Sequence, residues 1–86
     1  MPTIADIMAN PKTLTIDPEP SMLYAVSYMV ADKTTEKNLP ILMDYINRLP
    51  IEFCTITLQN ILRKNRKLLS TPAIQTWIRE KGADLF

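Results

Sequence analysis

An all-α fold, a compact bundle of about five short-to-medium helices, is what this 86-residue sequence predicts. Three observations carry that expectation. Apolar residues recur three and four apart in successive stretches, the spacing of helix faces. Proline, serine, threonine and acidic residues gather where those stretches begin, as helix starts require. Only Thr13-Leu14-Thr15-Ile16 alternates like a strand, and no second run exists to pair with it, so it reads as an extended linker.

The elements follow in order. Thr3 is an N-cap with Asp6 three residues on, and Ile4, Ile7 and Met8 keep helical spacing until Asn10-Pro11 stops the helix. Asp17-Pro18-Glu19-Pro20-Ser21 starts a second helix, in which prolines preset the backbone and acids meet the positive end of the helix dipole. It runs through Met22, Leu23, Ala25, Val26, Met29 and Val30 to about Lys33. Tyr24 and Tyr28 share one of its faces. They read either as a stacking platform or, more simply, as rings that edge the core with their hydroxyls in water.

Thr35 is the expected cap of a third helix, with Pro40 pushing its regular start toward Asn38. Leu39, Leu42, Met43, Ile46 and Leu49 form its apolar stripe. Leu49-Pro50 ends this helix and starts the central one, so the two meet in an αα-hairpin or a sharp corner. The central helix begins with Pro50 at its first position and Glu52 in its first turn. Apolar residues at 51, 54, 58, 61 and 62, with a second row at 53, 56 and 57, give an apolar face wide enough to be touched on more than one side. Arg63, Lys64, Arg66 and Lys67 make its far end basic. A turn follows at 65–70, with Leu68-Leu69 tucked under the core. Ser70-Thr71-Pro72 then opens a last helix with Ala73, Ile74, Trp77 and Ile78 on one face. Gly82 suits its C-cap. Leu85 and Phe86 either pack back over that helix or mark a contact with another molecule.

Length and composition bound the chemistry. Eighty-six residues make one domain, and 47% hydrophobic content is that of a globular protein. A net charge of +1 gives no global field to steer nucleic acid or anionic lipid. The chain has no histidine, which removes the commonest metal ligand and general base together. One glycine cannot build a phosphate-cradling loop. Cys54, the one cysteine, lies on the apolar stripe without an activating histidine and reads as a buried, inert thiol. The acids are scattered, and Trp77 reads as a core anchor. No catalytic, cofactor-binding or metal-binding residue emerges. The N-terminus lacks the features of a signal peptide and no run is long enough to span a bilayer, so membrane association is not expected and the cytoplasm is the expected compartment.

The candidate contact residues are therefore Arg63, Lys64, Arg66 and Lys67, with Leu85 and Phe86. The basic cluster can contact phosphates, or simply solvate a helix end; acids elsewhere nearly cancel it and no aromatic residue interleaves it, which favours the second reading and disfavours nucleic acid.

Four stretches carry a resemblance. They are the segment 1–11, Leu23-Tyr24-Ala25-Val26, Leu49-Pro50-Ile51-Glu52-Phe53, and the segment 68–77 with Thr71-Pro72-Ala73 and Trp77. In this order and spacing they resemble the C-terminal region of MoxR-type AAA+ ATPases, over nearly the whole chain. Singly these are packing and capping signatures. The Walker A pattern is absent, so the resemblance implies no ATP chemistry for any residue here. It implies a non-catalytic helical domain, a fragment or stand-alone remnant of a larger ATPase whose ATP and magnesium belong to another module. That domain would contact the ATPase module or a client in ATP-driven remodelling, and any oligomer would form through the parent ring. The alternative is a small stand-alone nucleic-acid-binding protein that uses residues 63–67.

Overall fold

Thr3 starts the chain's first helix as expected. In the computed structural model, which describes residues 1–81, its Oγ1 accepts from Asp6 N–H at 3.2 Å while Asp6 Oδ2 accepts from Thr3 N–H at 3.0 Å. This reciprocal pair satisfies two N–H groups that a helix start leaves open. Five α-helices follow one another: α1 (Ile4–Ala9), α2 (Pro20–Lys33), α3 (Leu39–Ile46), α4 (Ile51–Lys64) and α5 (Pro72–Lys81). A 3-10 helix, Arg66–Ser70, joins α4 to α5. No strand occurs among the described residues, and 12–18 is a linker. The all-α bundle is thus the fold observed. No described helix is long and apolar enough to cross a membrane.

α4 is the central element, and α2 is its main neighbour. The two run parallel. Near their N-terminal ends the Tyr24 and Phe53 rings meet edge to face at 4.9 Å. Near their C-terminal ends Lys64 Nζ pairs with Asp32 Oδ1. Between these contacts the seam is lined by small or short side chains: Ser27 and Thr57 are wholly buried and Ala31 nearly so. Short side chains let the two helices approach closely. Thr57 Oγ1 donates to Phe53 O, one turn back. Ser27 Oγ finds no partner among the described residues.

From the second apolar row of α4, Phe53 and Thr57 therefore face α2 and Ile56 is left partly exposed beside them, while of the main stripe Cys54, Leu58, Ile61 and Leu62 are buried in one cluster with Ile7, Leu39, Leu42, Ile46, Ile74 and Trp77 and Ile51 is exposed. α1 packs on α2 and α3, and α3 on α5. The chain from α3 to α4 turns a sharp corner, because the two helices do not lie along one another. Cys54 ties that corner: its Sγ lies 2.8 Å from Ile46 O and 3.1 Å from Leu49 O, so one S–H is shared between two carbonyls.

Two details differ from the sequence reading, the place of Pro50 and that of Arg66 and Lys67, while the start of α3 shifts from Thr35 to Asn38 as Pro40 predicts. Pro50 is the N-cap of α4 rather than its first helical residue; its extended ψ of 146° turns the corner, and its carbonyl accepts from Phe53 and Cys54 N–H. The regular part of α3 begins at Leu39, with Asn38 as cap. Thr35 still exchanges two hydrogen bonds with Asn38, at 2.7 and 3.1 Å, but Pro40 has no N–H to extend the ladder from that turn. Arg66 and Lys67 belong to the 3-10 helix, so only Arg63 and Lys64 sit in the last turn of α4.

Arg48 holds the linker in place. Its Nη1 donates to Pro11 O at 3.0 Å and its Nη2 to Leu14 O, while the guanidinium carbon lies 5.8 Å from the centre of the Tyr45 ring.

Candidate interaction surfaces

Arg63, Lys64, Arg66 and Lys67 are all exposed at the junction of α4 and the 3-10 helix. They are not equivalent. Lys64 is engaged with Asp32, and that contact holds the Asp32 carboxyl below its ordinary range, the hydrogen bond contributing most and the charge next. Arg63 Nη1 donates to Asn60 Oδ1 at 3.2 Å, and the Asn60 amide in turn donates to Ile56 O. Asn60 is itself nearly buried, so it fixes the lie of the arginine along α4. Among the described residues, Arg66 and Lys67 have no ion pair. The four cations thus reduce to one engaged ammonium, one oriented guanidinium and two solvated charges. Leu85 and Phe86, the other residues singled out from sequence, lie outside the described residues, as does Gly82.

A second surface was not anticipated. α3 and α5 lie side by side and leave between them an open groove of about 680 Å³. Leu39, Pro40 and Met43 line one wall and Pro72, Ala73 and Trp77 the other, with Glu36, Asn47, Thr76, Glu80 and Lys81 among the polar residues at its edges. The lining positions recur three and four apart on both helices, so the groove follows the two axes. Its volume is in the range of sites that hold small molecules, about 300–1,000 Å³. The side chain of Trp77 is buried, and its Nε1–H has no acceptor among the described residues. The sequence held part of this signal. Pro40 and Pro72 each stand in the first turn of a helix one face of which carries Met43 or Trp77. What it lacked was the knowledge that α3 and α5, twenty-odd residues apart, would be neighbours.

Cys54 is buried, and burial pushes its thiol pKa up, which keeps it protonated and weakly nucleophilic. Among the described residues no three His, Cys, Asp or Glu side chains stand close enough to share a metal ion. The described residues present a groove with apolar walls, and a basic end beside it in the chain.

No protein-family model, curated protein or solved structure matches this chain.

Proposed function

We propose that this chain is a non-catalytic helical contact domain of the kind found C-terminal to the nucleotide-binding module in MoxR-type AAA+ ATPases, and that it works by binding the ATPase module or a client in the cytoplasm. The observation that carries the reading is the α3–α5 groove. Concave sites with apolar walls and a few polar groups at the edge are the usual form of a binding site. Five of its lining residues, Thr71, Pro72, Ala73, Thr76 and Trp77, fall in the stretch 68–77 that also carries the family resemblance. In this reading ATP and magnesium are handled by the partner module, and this chain contributes shape rather than chemistry.

The experiment is a calorimetric titration of the chain into a MoxR-type ATPase module that lacks its own C-terminal region. Binding is expected, and Thr76→Arg, which fills the groove from its edge, is expected to remove it. A module that shows no heat with the parent chain at either of two temperatures sinks the ATPase-module reading.

A further inference from the structure

The α2–α4 pair has a second property, independent of the groove. α2 carries no charged residue from Pro20 to Ala31, and α4 none from Phe53 to Leu62. α2 is apolar nearly all round, as a helix covered on several sides would be. Yet Tyr24 is 47% and Tyr28 53% exposed. Helical periodicity places Ile56 and Gln59 of α4 on the same outer side as these tyrosines, and both are partly exposed. A surface rich in aromatic residues and depleted of charge is the compositional mark of an interface core.

The two ends of this face are charged, and oppositely. Glu52, in the first turn of α4, is exposed at one end. Arg63, in the last turn and oriented by Asn60, is exposed at the other. They stand eleven positions apart on the same side of α4, about 16 Å along the axis. At that second end Asp32 of α2 and Lys64 of α4 offset each other and Arg63 leaves the end net basic, so with α2 and α4 parallel the face has one acidic and one basic end.

Such a face complements itself. Take a two-fold axis lying in the face, at right angles to the helices and level with the middle of α4. It brings a second copy face to face and antiparallel. Tyr28 and Ile56 then fall near the axis, against their own counterparts. Glu52 of each copy meets Arg63 of the other, at both ends. An interface between identical copies must place one patch against itself, and a uniformly charged patch would repel its own image. Here the centre is neutral and the ends exchange sign. We propose that the outer face of α2 and α4 is a two-fold homodimer interface, occupied by a second copy of this chain in the antiparallel sense. The apolar centre supplies the attraction, and the end charges set the direction.

Sedimentation velocity of the purified chain, over about 1 µM to 1 mM at low salt, tests this. The mass is expected to rise to that of a dimer across the range, and the association to weaken as salt screens the end charges. Tyr28→Glu is expected to leave a monomer throughout, with its helical circular dichroism unchanged because the side chain is exposed. Glu52→Lys and Arg63→Glu should each weaken dimerisation by about ten-fold or more, and the double variant, which restores opposite charges at both ends, should recover to within about three-fold of the parent. A parent chain that stays monomeric, a dimer that survives Tyr28→Glu, or a double variant no better than its single parents overturns the proposal. None of these readings involves an ATPase module, so the outcome is separate from that of the groove.

Discussion

Replacing Ser27 with alanine should make this protein more stable. Ser27 is wholly buried in the α2–α4 seam, and its hydroxyl has no hydrogen-bond partner among the described residues. A hydroxyl taken out of water without a partner costs about 1–3 kcal/mol in protein mutational series. Alanine is also the better helix former, by a few tenths of a kcal/mol. Against this stands the void left by one oxygen atom, which costs some tenths of a kcal/mol by the usual scaling with cavity volume. The balance is a gain of about 1–2 kcal/mol. For a domain of this size that raises the melting temperature by about 4–16 °C. Thr57→Val is the control in the same seam. That hydroxyl already donates to Phe53 O, so removing it gives up a bond together with its desolvation cost, and the change should stay within about 0.5 kcal/mol. Urea unfolding, followed by circular dichroism and by the fluorescence of the one tryptophan, measures both. A Ser27→Ala variant less stable than the parent by more than about 0.5 kcal/mol would refute the reasoning, since it would mean that the hydroxyl is bonded.

Other outcomes follow from the same physical picture. Arg48→Ala should destabilise the fold by about 1–2 kcal/mol in urea, and Arg48→Lys should recover little of it, because an ammonium cannot reach two carbonyls with a planar fork. Stability should fall at both extremes of pH in a set of thermal melts. The Thr3 backbone N–H and hydroxyl lower the Asp6 carboxyl, and Lys64 lowers that of Asp32, so their contributions are present above the ordinary carboxylate range and are lost as pH drops through the lowered values, below about pH 4. Burial raises Tyr45 and Cys54, so the folded state holds their protons longer than the unfolded chain does. Stability is then lost as pH climbs past about 9 toward those raised values. At pH 8 a thiol reagent should modify Cys54 only as fast as the protein opens, and at once in denaturant; rapid labelling of the native chain would show that the corner between α3 and α4 is not closed.

The helices were legible because each is specified locally. The Thr3–Asp6 exchange, the Pro20 start, the stripe from Leu39 to Leu49 and the Pro72 start are matters of three or four residues, and the structure has them where spacing and capping chemistry put them. The start of α3 lies at Asn38 rather than Thr35, the shift that Pro40 predicts, because two local rules conflict. Thr35 and Asn38 close a capping turn, and Pro40 interrupts the hydrogen-bond ladder that should grow from it. The parallel course of α2 and α4 was not legible. It depends on which faces meet, and α2, apolar nearly all round, has no single stripe that announces its partner.

The same distinction explains why the contact surfaces were read only in part. A run of four basic residues within five positions is visible in one line of text. That Asp32 absorbs Lys64 and Asn60 directs Arg63 depends on α2 lying against α4 and on side-chain geometry. The +1 net charge hides more than it shows, because it averages over position. Once α2 and α4 are laid parallel, Glu52 and Arg63 become opposite poles of one neutral face. A near-zero total then no longer means that electrostatics is idle. At contact distance the order of charges along a helix, rather than their sum, decides which surface can meet which, and in which direction. For a face with no charge between its ends, that order sets how another surface can lie against it.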